Sequence, residues 1–220
     1  MSKDLTIPGD LLSGDVRLAG EGTYIEDEKV YASVCGVVDR GEKIRVVPLT
    51  GKYMPCSGDV VVGKIIDVRF SSWTVDINSP YEARLHISEY PKRINPGETN
   101  QHLGIGELII AKVTGVDAAM RVDLTMRDGG KAIRSGRLIE ISHTKIPRAI
   151  GRGGSMINLI KNETNCDIFV SQNGRIWING REDMVTLAAD ALLKIEQEAH
   201  TFGLTDTIRE FIENAKRDRK

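Results

Sequence analysis

The stretch Ala149–Ile157, AIGRGGSMI, sets three glycines and an arginine between two apolar runs. That composition suits contact with phosphates. Glycines without a Cβ let an extended anion lie against the main chain, and a helix beginning just after them offers free N–H groups and the positive end of its dipole. Two nucleotide-cofactor readings fail on spacing. A dinucleotide fingerprint needs a strand and then G-x-G-x-x-G, but Met156 stands at the third glycine. The preceding Ile146-Pro147-Arg148-Ala149-Ile150 holds a proline, which lacks a donor and suits a helix start. Gly51-Lys52, followed by Tyr53 and without the upstream glycine, is no Walker loop either. A short helix, a Gly-Arg-Gly-Gly loop and a second helix remain.

The rest of the chain offers little other chemistry. Cys35, Cys56 and Cys166 are odd in number and far apart, so neither a disulfide framework nor a zinc ribbon is indicated. His86, His102, His143 and His200 are equally dispersed. Acidic pairs such as Asp76 with Asp123, or Glu182-Asp183, read as charge on solvated faces. No nucleophile with its base emerges, so no catalytic residue, metal or cofactor is expected. The 220 residues are 40% hydrophobic, enough for one large or two to three small cores. No apolar run reaches membrane-spanning length, and MSKDLTIPGD has no signal-peptide core, which points to the cytoplasm and away from membranes. A net charge of −1 argues against a strongly basic nucleic-acid binder. Its distribution says more: cations are in slight excess from Lys131 onward and acids before it, favouring a polyanion partner for the C-terminal part.

The elements that would position the loop read as a multidomain chain, mainly β and then α+β. Residues 1–56 form a first β domain, with strand-like Val30–Val34 and Lys43–Leu49 and a turn at Asp39-Arg40-Gly41-Glu42. Residues 57–127 form a second. Gly58–Val68 opens it, Trp73, Val75 and Ile77 alternate with polar residues, and strands at Glu107–Val113 and around Val122, Leu124 and Met126 follow the loop at Ile94–Asn100. Four to five short strands in this length suit a small closed barrel. Residues 128–136 read as a linker. In residues 137–220 the order is β-α-α-β-β-α: a strand at Arg137–Ile141, the two helices, a hairpin of Asp167–Val170 and Arg175–Ile178 around Asn173-Gly174, and a helix with the stripe Met184, Leu187, Ala188, Ala191, Leu192, Ile195 and Ala199. Gly203 stops that helix. Thr205 or Asp206 caps a last one ending in Lys216-Arg217-Asp218-Arg219-Lys220.

A Gly-x-x-Gly loop between two helices in this order resembles the KH domain of RNA-binding proteins. The resemblance makes Gly151, Arg152, Gly153 and Gly154 backbone-contacting residues, with Lys145 and Arg148 as upstream cations. The middle segment resembles the S-one type of OB-fold, in Gly58–Lys64, Phe70-Ser71-Ser72-Trp73, Leu85-His86-Ile87-Ser88, and Asp117 with Arg121. That implies a face on which Phe70 and Trp73 stack bases beside His86, while Lys64 and Arg121 hold phosphates. Trp73 also shares a strand face with Val75 and Ile77, so core packing competes with stacking, and His86 could be structural. With the phrases Ile7-Pro8-Gly9-Asp10, Gly20–Tyr24, Tyr53-Met54-Pro55 and Trp73–Tyr81, nearly the whole chain is similar to the archaeal exosome RNA-binding cap subunits that carry both modules. The resemblance implies a non-catalytic cap that guides single-stranded RNA 3′ tails into a hexameric phosphorolytic RNase ring, three caps to a ring, with the first domain docked on the ring. A translation- or ribosome-associated RNA-binding protein is the alternative.

Overall fold

The computed structural model describes residues 4–49, 51–199, 201 and 203–218; Met1–Lys3, His200, Arg219 and Lys220, named above, lie outside the described residues. Contacts divide the chain into two units between Gly51 and Lys52. The first unit holds β1 (Leu5–Thr6), β2 (Leu11–Ser13), β3 (Thr23–Glu26), β4 (Lys29–Ala32), β5 (Gly36–Arg40) and β6 (Ile44–Pro48) in two three-stranded sheets, ordered β1-β5-β6 and β2-β4-β3. The turn read at Asp39–Glu42 joins β5 to β6 and sets Arg40 opposite Ile44. The core is small: Leu12, Val30, Ala32, Ile44 and Val46. Leu5, Ile7, Leu11, Ile25 and Val47 stay more than half exposed.

The second unit opens on a barrel of β7 (Val60–Val68), β8 (Ser72–Asp76), β9 (Ala83–His86), β10 (Leu108–Val116) and β11 (Val122–Thr125), with a one-turn helix α1 (Thr99–His102) in the β9–β10 connection. The ladder runs β7-β8-β9-β11-β10 and returns from β10 to β7, so the five strands close and leave no free edge. Alternation sends Val61, Ile65, Trp73, Val75, Leu85, Ile109, Val113 and Leu124 inward. Each such aliphatic side chain removed from water contributes about 1.5–3 kcal/mol. Tyr53 joins this core, and its hydroxyl donates to Asp59 Oδ2 at 2.5 Å. The segment from Tyr53 to Cys56 therefore travels with the barrel by contact. Within the stretch expected as a linker, β12 (Lys131–Ile133) pairs with β10, Ile133 opposite Leu108.

Beyond it come β13 (Arg137–Glu140), α2 (Ile146–Ile150), α3 (Ser155–Thr164), β14 (Asp167–Val170), β15 (Arg175–Asn179) and α4 (Glu182–Gln197), the order expected, with sheet order β13-β15-β14. The apolar stripe of α4 buries Leu187, Ala188, Ala191, Leu192 and Ile195; Ala199 is buried too, but past the helix end. A last helix, α5 (Leu204–Asp218), starts directly after Gly203 and buries Leu204, Ile208 and Ile212 in the same core. Barrel and C-terminal domain are fastened together. Val62, Ile110 and Ile133 pack with Trp177, whose indole N–H donates to Ser135 O at 2.7 Å. The Asn-Gly turn supplies the polar half: Gln172 Oε1 accepts from Val60 N at 3.0 Å, and Asn78 Nδ2 donates to Asn173 O at 3.0 Å. Arg175, its side chain 6% exposed, reaches Asp76 Oδ2 at 2.6 Å, Asp76 O at 2.7 Å and Glu140 Oε1 at 2.8 Å.

Candidate nucleic-acid interface

The glycine loop forms as an elbow between helices. Pro147 sits in the first turn of α2, where its missing donor costs nothing, and the helix ends when Gly151 turns to φ 75°. A Cβ there would stand 2.8 Å from Met156 N and 2.9 Å from Met156 Cβ, so the close return of α3 requires glycine. Gly153 and Gly154 continue at φ 57° and 79°. Gly154 is the N-cap of the ten-residue α3; no side chain caps that helix, and no acid stands in its first turn. A polar helix end is thus left facing Arg152 and Gly153, both exposed. Lys145 is half-buried at the start of α2. Arg148 is drawn elsewhere, its Nε donating to Ala199 O at 2.7 Å. Of the three expected cations, Arg152 alone lies in the loop itself.

On the barrel, register separates the expected residues into two groups. His86 ends β9 opposite Ser72, and Ser72 shares a concavity of about 370 Å³ with Arg69, Thr74, Arg84, Arg121 and Asp123. Phe70 projects from the adjoining β7–β8 loop, 72% exposed. His86 Nδ1 accepts from Ser88 N at 3.2 Å and contacts Ser88 Oγ at 2.8 Å, so in the neutral ring Nε2 carries the proton. Lys64 belongs elsewhere, opposite Asp76 at the far end of β8, about 13 Å from Ser72 at the usual strand rise. Its charge adds to the Arg175 cluster.

Trp73 is corrected outright as a stacking residue. It is 0% exposed, its indole N–H donates to Leu103 O at 3.0 Å, and its ring tilts against Tyr90 with centroids 5.7 Å apart. No base reaches a side chain inside the barrel. Of the two roles open in the sequence, the core is the one realised. Conversely, Arg69 and Arg84 escaped the sequence reading although both line the face. The signal was present for Arg84, two residues before His86 and so on the same side of a strand. All three arginines have acid partners: Arg69–Asp67 at 3.0 Å, Arg84–Asp123 at 3.0 Å and Arg121–Asp117 at 3.8 Å. These pairs are exposed and weak, and a phosphate can exchange for the carboxylate at little cost. Among the described residues no three His, Cys, Asp or Glu side chains stand close enough to hold a metal ion, and no helix is long and apolar enough to cross a membrane.

Comparison with known proteins follows this division. Residues 3–50 match the family model described as the exosome RNA binding protein RRP4 N-terminal domain, residues 52–96 the RRP4 S1 domain, and residues 137–194 the KH domain. Exosome complex component Rrp4 of Methanosarcina mazei is 46% identical over 222 residues, covering 100% of this chain and 85% of the relative. Those of Methanothermus fervidus and Pyrococcus furiosus are each 45% identical, covering 96% of this chain and 95% and 83% of theirs. A crystal structure described as that of an exosome complex RNA-binding protein superposes with a TM-score of 0.72 at 39% identity, covering 77% of this chain and 100% of its own. The relatives match over nearly the full length and the solved structure over about three quarters of it, and the chain belongs to the Rrp4 family of exosome complex components.

Proposed function

We propose that this chain is a non-catalytic RNA-binding cap of an exosome, seizing single-stranded 3′ tails and passing them to a phosphorolytic exoribonuclease ring, with three copies around the pore. The observation that carries the reading is the fastening of the barrel to the KH domain through Asn173, Arg175 and Trp177. Two modest surfaces, the Phe70–His86–Arg121 face and the Gly151–Gly154 loop, are thereby held on one body. The second contact is then made at high effective concentration without new chemistry. The first unit supplies the dock: Leu5, Ile7, Leu11, Ile25 and Val47 are each more than half exposed around its small core, apolar area that a partner would cover.

The test compares a phosphorolytic ring alone with ring plus this chain, at low and saturating RNA. Stimulation at low RNA, read as a lower apparent KM and eroded by salt, supports the reading. Cleavage by the isolated chain with magnesium and phosphate refutes the non-catalytic role. Co-purification with ribosomal subunits instead of a ring nuclease refutes the assembly.

A further inference from the structure

A second concavity, of about 700 Å³, opens beside the barrel face between the segment after β9 and the end of β11. It is lined by His86, Ser88, Tyr90, Lys92, Arg93 and Arg127 among others. Its charge differs in kind from that of the Arg69–Arg84–Arg121 face. Lys92, Arg93 and Arg127 are all exposed, and none has an acid partner among the described residues. Three cations held close without counter-charge repel one another, a cost that an incoming anion removes.

The fold holds them there. Tyr90 packs against the barrel core, with ring centroids 5.7 Å from Trp73 and 5.6 Å from His102, and Ile94 is buried in that core. Lys92 and Arg93 therefore sit on a three-residue bridge, begun by Pro91, between two anchors. Arg127 arrives from 34 residues later in the chain because Met126 N donates to Glu89 O at 2.9 Å, and its own N–H is held by Thr125 Oγ1 at 3.1 Å. The loop carrying Phe70 is pinned to the same segment: Ile87 N donates to Ser71 O at 3.0 Å and Gly97 N to Phe70 O at 2.8 Å. The loop that bears this exposed aromatic ring is thus tied to the segment that lines the cationic hollow.

We propose that this hollow is a phosphate subsite for single-stranded RNA, in which Lys92, Arg93 and Arg127 hold consecutive backbone phosphates while the neighbouring base rests on Phe70. The exposed aromatic on the tied loop favours a nucleotide strand over an acidic peptide, which would have no use for an exposed π-face. The inference rests on the RNA-binding reading above, and it makes this hollow, rather than the acid-paired arginines, the main source of salt-dependent affinity.

The experiment titrates the full chain with a fluorescent single-stranded RNA from 50 to 400 mM salt, using three variants. Lys92→Ala/Arg93→Ala/Arg127→Ala is expected to weaken binding by roughly tenfold or more and to reduce the slope of log affinity against log salt by about 2, at about 0.7 per lost phosphate contact. The charge-preserving Lys92→Arg/Arg93→Lys/Arg127→Lys should keep both, as should a charge-matched control in the first unit, Arg17→Ala/Lys29→Ala/Lys43→Ala. A triple alanine variant with wild-type affinity and slope overturns the subsite and leaves the RNA-binding reading standing. Failure of the wild-type chain to bind RNA overturns both.

Discussion

The side chain of Asn173 pairs with the main chain of Val62 as a neighbouring strand would: Nδ2 donates to Val62 O at 2.9 Å, and Oδ1 accepts from Val62 N at 3.4 Å. The pairing of β7 with β8 extends only as far as Lys64 opposite Asp76, so Val62 lies just past it. The second Nδ2 hydrogen reaches Ile77 O at 2.8 Å, on the strand that has turned away. One amide thus closes the seam where two barrel strands part. Asn173, 0% exposed, does so from the tip of a hairpin in the other domain.

Asn173→Ala leaves the Ile77 carbonyl and the Val62 N–H without partners and the Val62 carbonyl with only the 3.4 Å bond from Arg175 Nη1, at roughly 1–3 kcal/mol for each group that water does not reach. The expected loss is about 3 kcal/mol, a fall in Tm of roughly 6–12 °C for a unit of this size. Asn173→Asp should be worse, because a carboxylate would face both carbonyl oxygens. Thermal melts of the three proteins measure this, and an unchanged Tm for the alanine variant would contradict it.

Arg175 makes the same junction depend on pH. Burial on its own would raise the pKa of Asp76. The hydrogen bonds from Arg175 and from Asn78 N–H, with the charges of Arg175 and Lys64, outweigh it and hold the carboxyl below its ordinary value. A carboxylate whose pKa is depressed by folding stabilises the fold above the unfolded-state value and stops doing so as pH falls through the folded one. Asp76→Asn should therefore be less stable than wild type near pH 7, with the gap narrowing below about pH 4. Denaturant midpoints at pH 7 and pH 3 test this; a gap that is constant or widens in acid would be inconsistent with it.

What the sequence revealed of this molecule follows from how local the determinants are. Pro147 and the loop glycines lie within eight residues, and the helix–loop–helix was readable from them. The Asn173-Gly174 turn was readable for the same reason. The task of Asn173 was not, because its partners Val62 and Ile77 are 111 and 96 residues away and a turn signal does not say what its tip will touch. Alternation placed Trp73 on a face with Val75 and Ile77, but only closure of the barrel through the β10–β11 pairing decided that this face points inward. Lys64 failed as a member of the barrel face on register: strand pairing set it beside Asp76.

The loop glycines should separate by role. At Gly151, φ 75° with ψ 172° and the closeness of Met156 make Gly151→Ala strained, costing about 1–3 kcal/mol. At Gly153, φ 57° and ψ 24° form a left-handed conformation that Asp tolerates, and nothing lies within 4 Å of an added Cβ. Arg152→Asp/Gly153→Asp should thus melt within a few degrees of wild type yet bind single-stranded RNA more weakly, since two negative charges then face the strand. Unaltered affinity of this variant, with its fold verified by circular dichroism, would remove the loop from the interface.

Phe70 and Trp73, three residues apart, should respond in opposite ways to the same substitution. Phe70 is 72% exposed and rests only lightly on the chain, its ring 3.3 Å from where a Cβ of Gly97 would stand. Phe70→Ala should leave the Tm nearly unchanged and cost about 1–3 kcal/mol in RNA affinity, the usual worth of one stacked base. Trp73 fills the barrel centre and donates to Leu103 O, so Trp73→Ala opens a cavity and orphans a buried carbonyl, for roughly 3–5 kcal/mol of stability. Its effect on RNA binding should vanish once affinities are compared at a temperature where both proteins are folded. Melting curves beside RNA titrations at 10 °C separate the two. A Phe70 variant that binds normally would move the stacking site off this loop, and a folded Trp73 variant that binds poorly would return the indole to the interface.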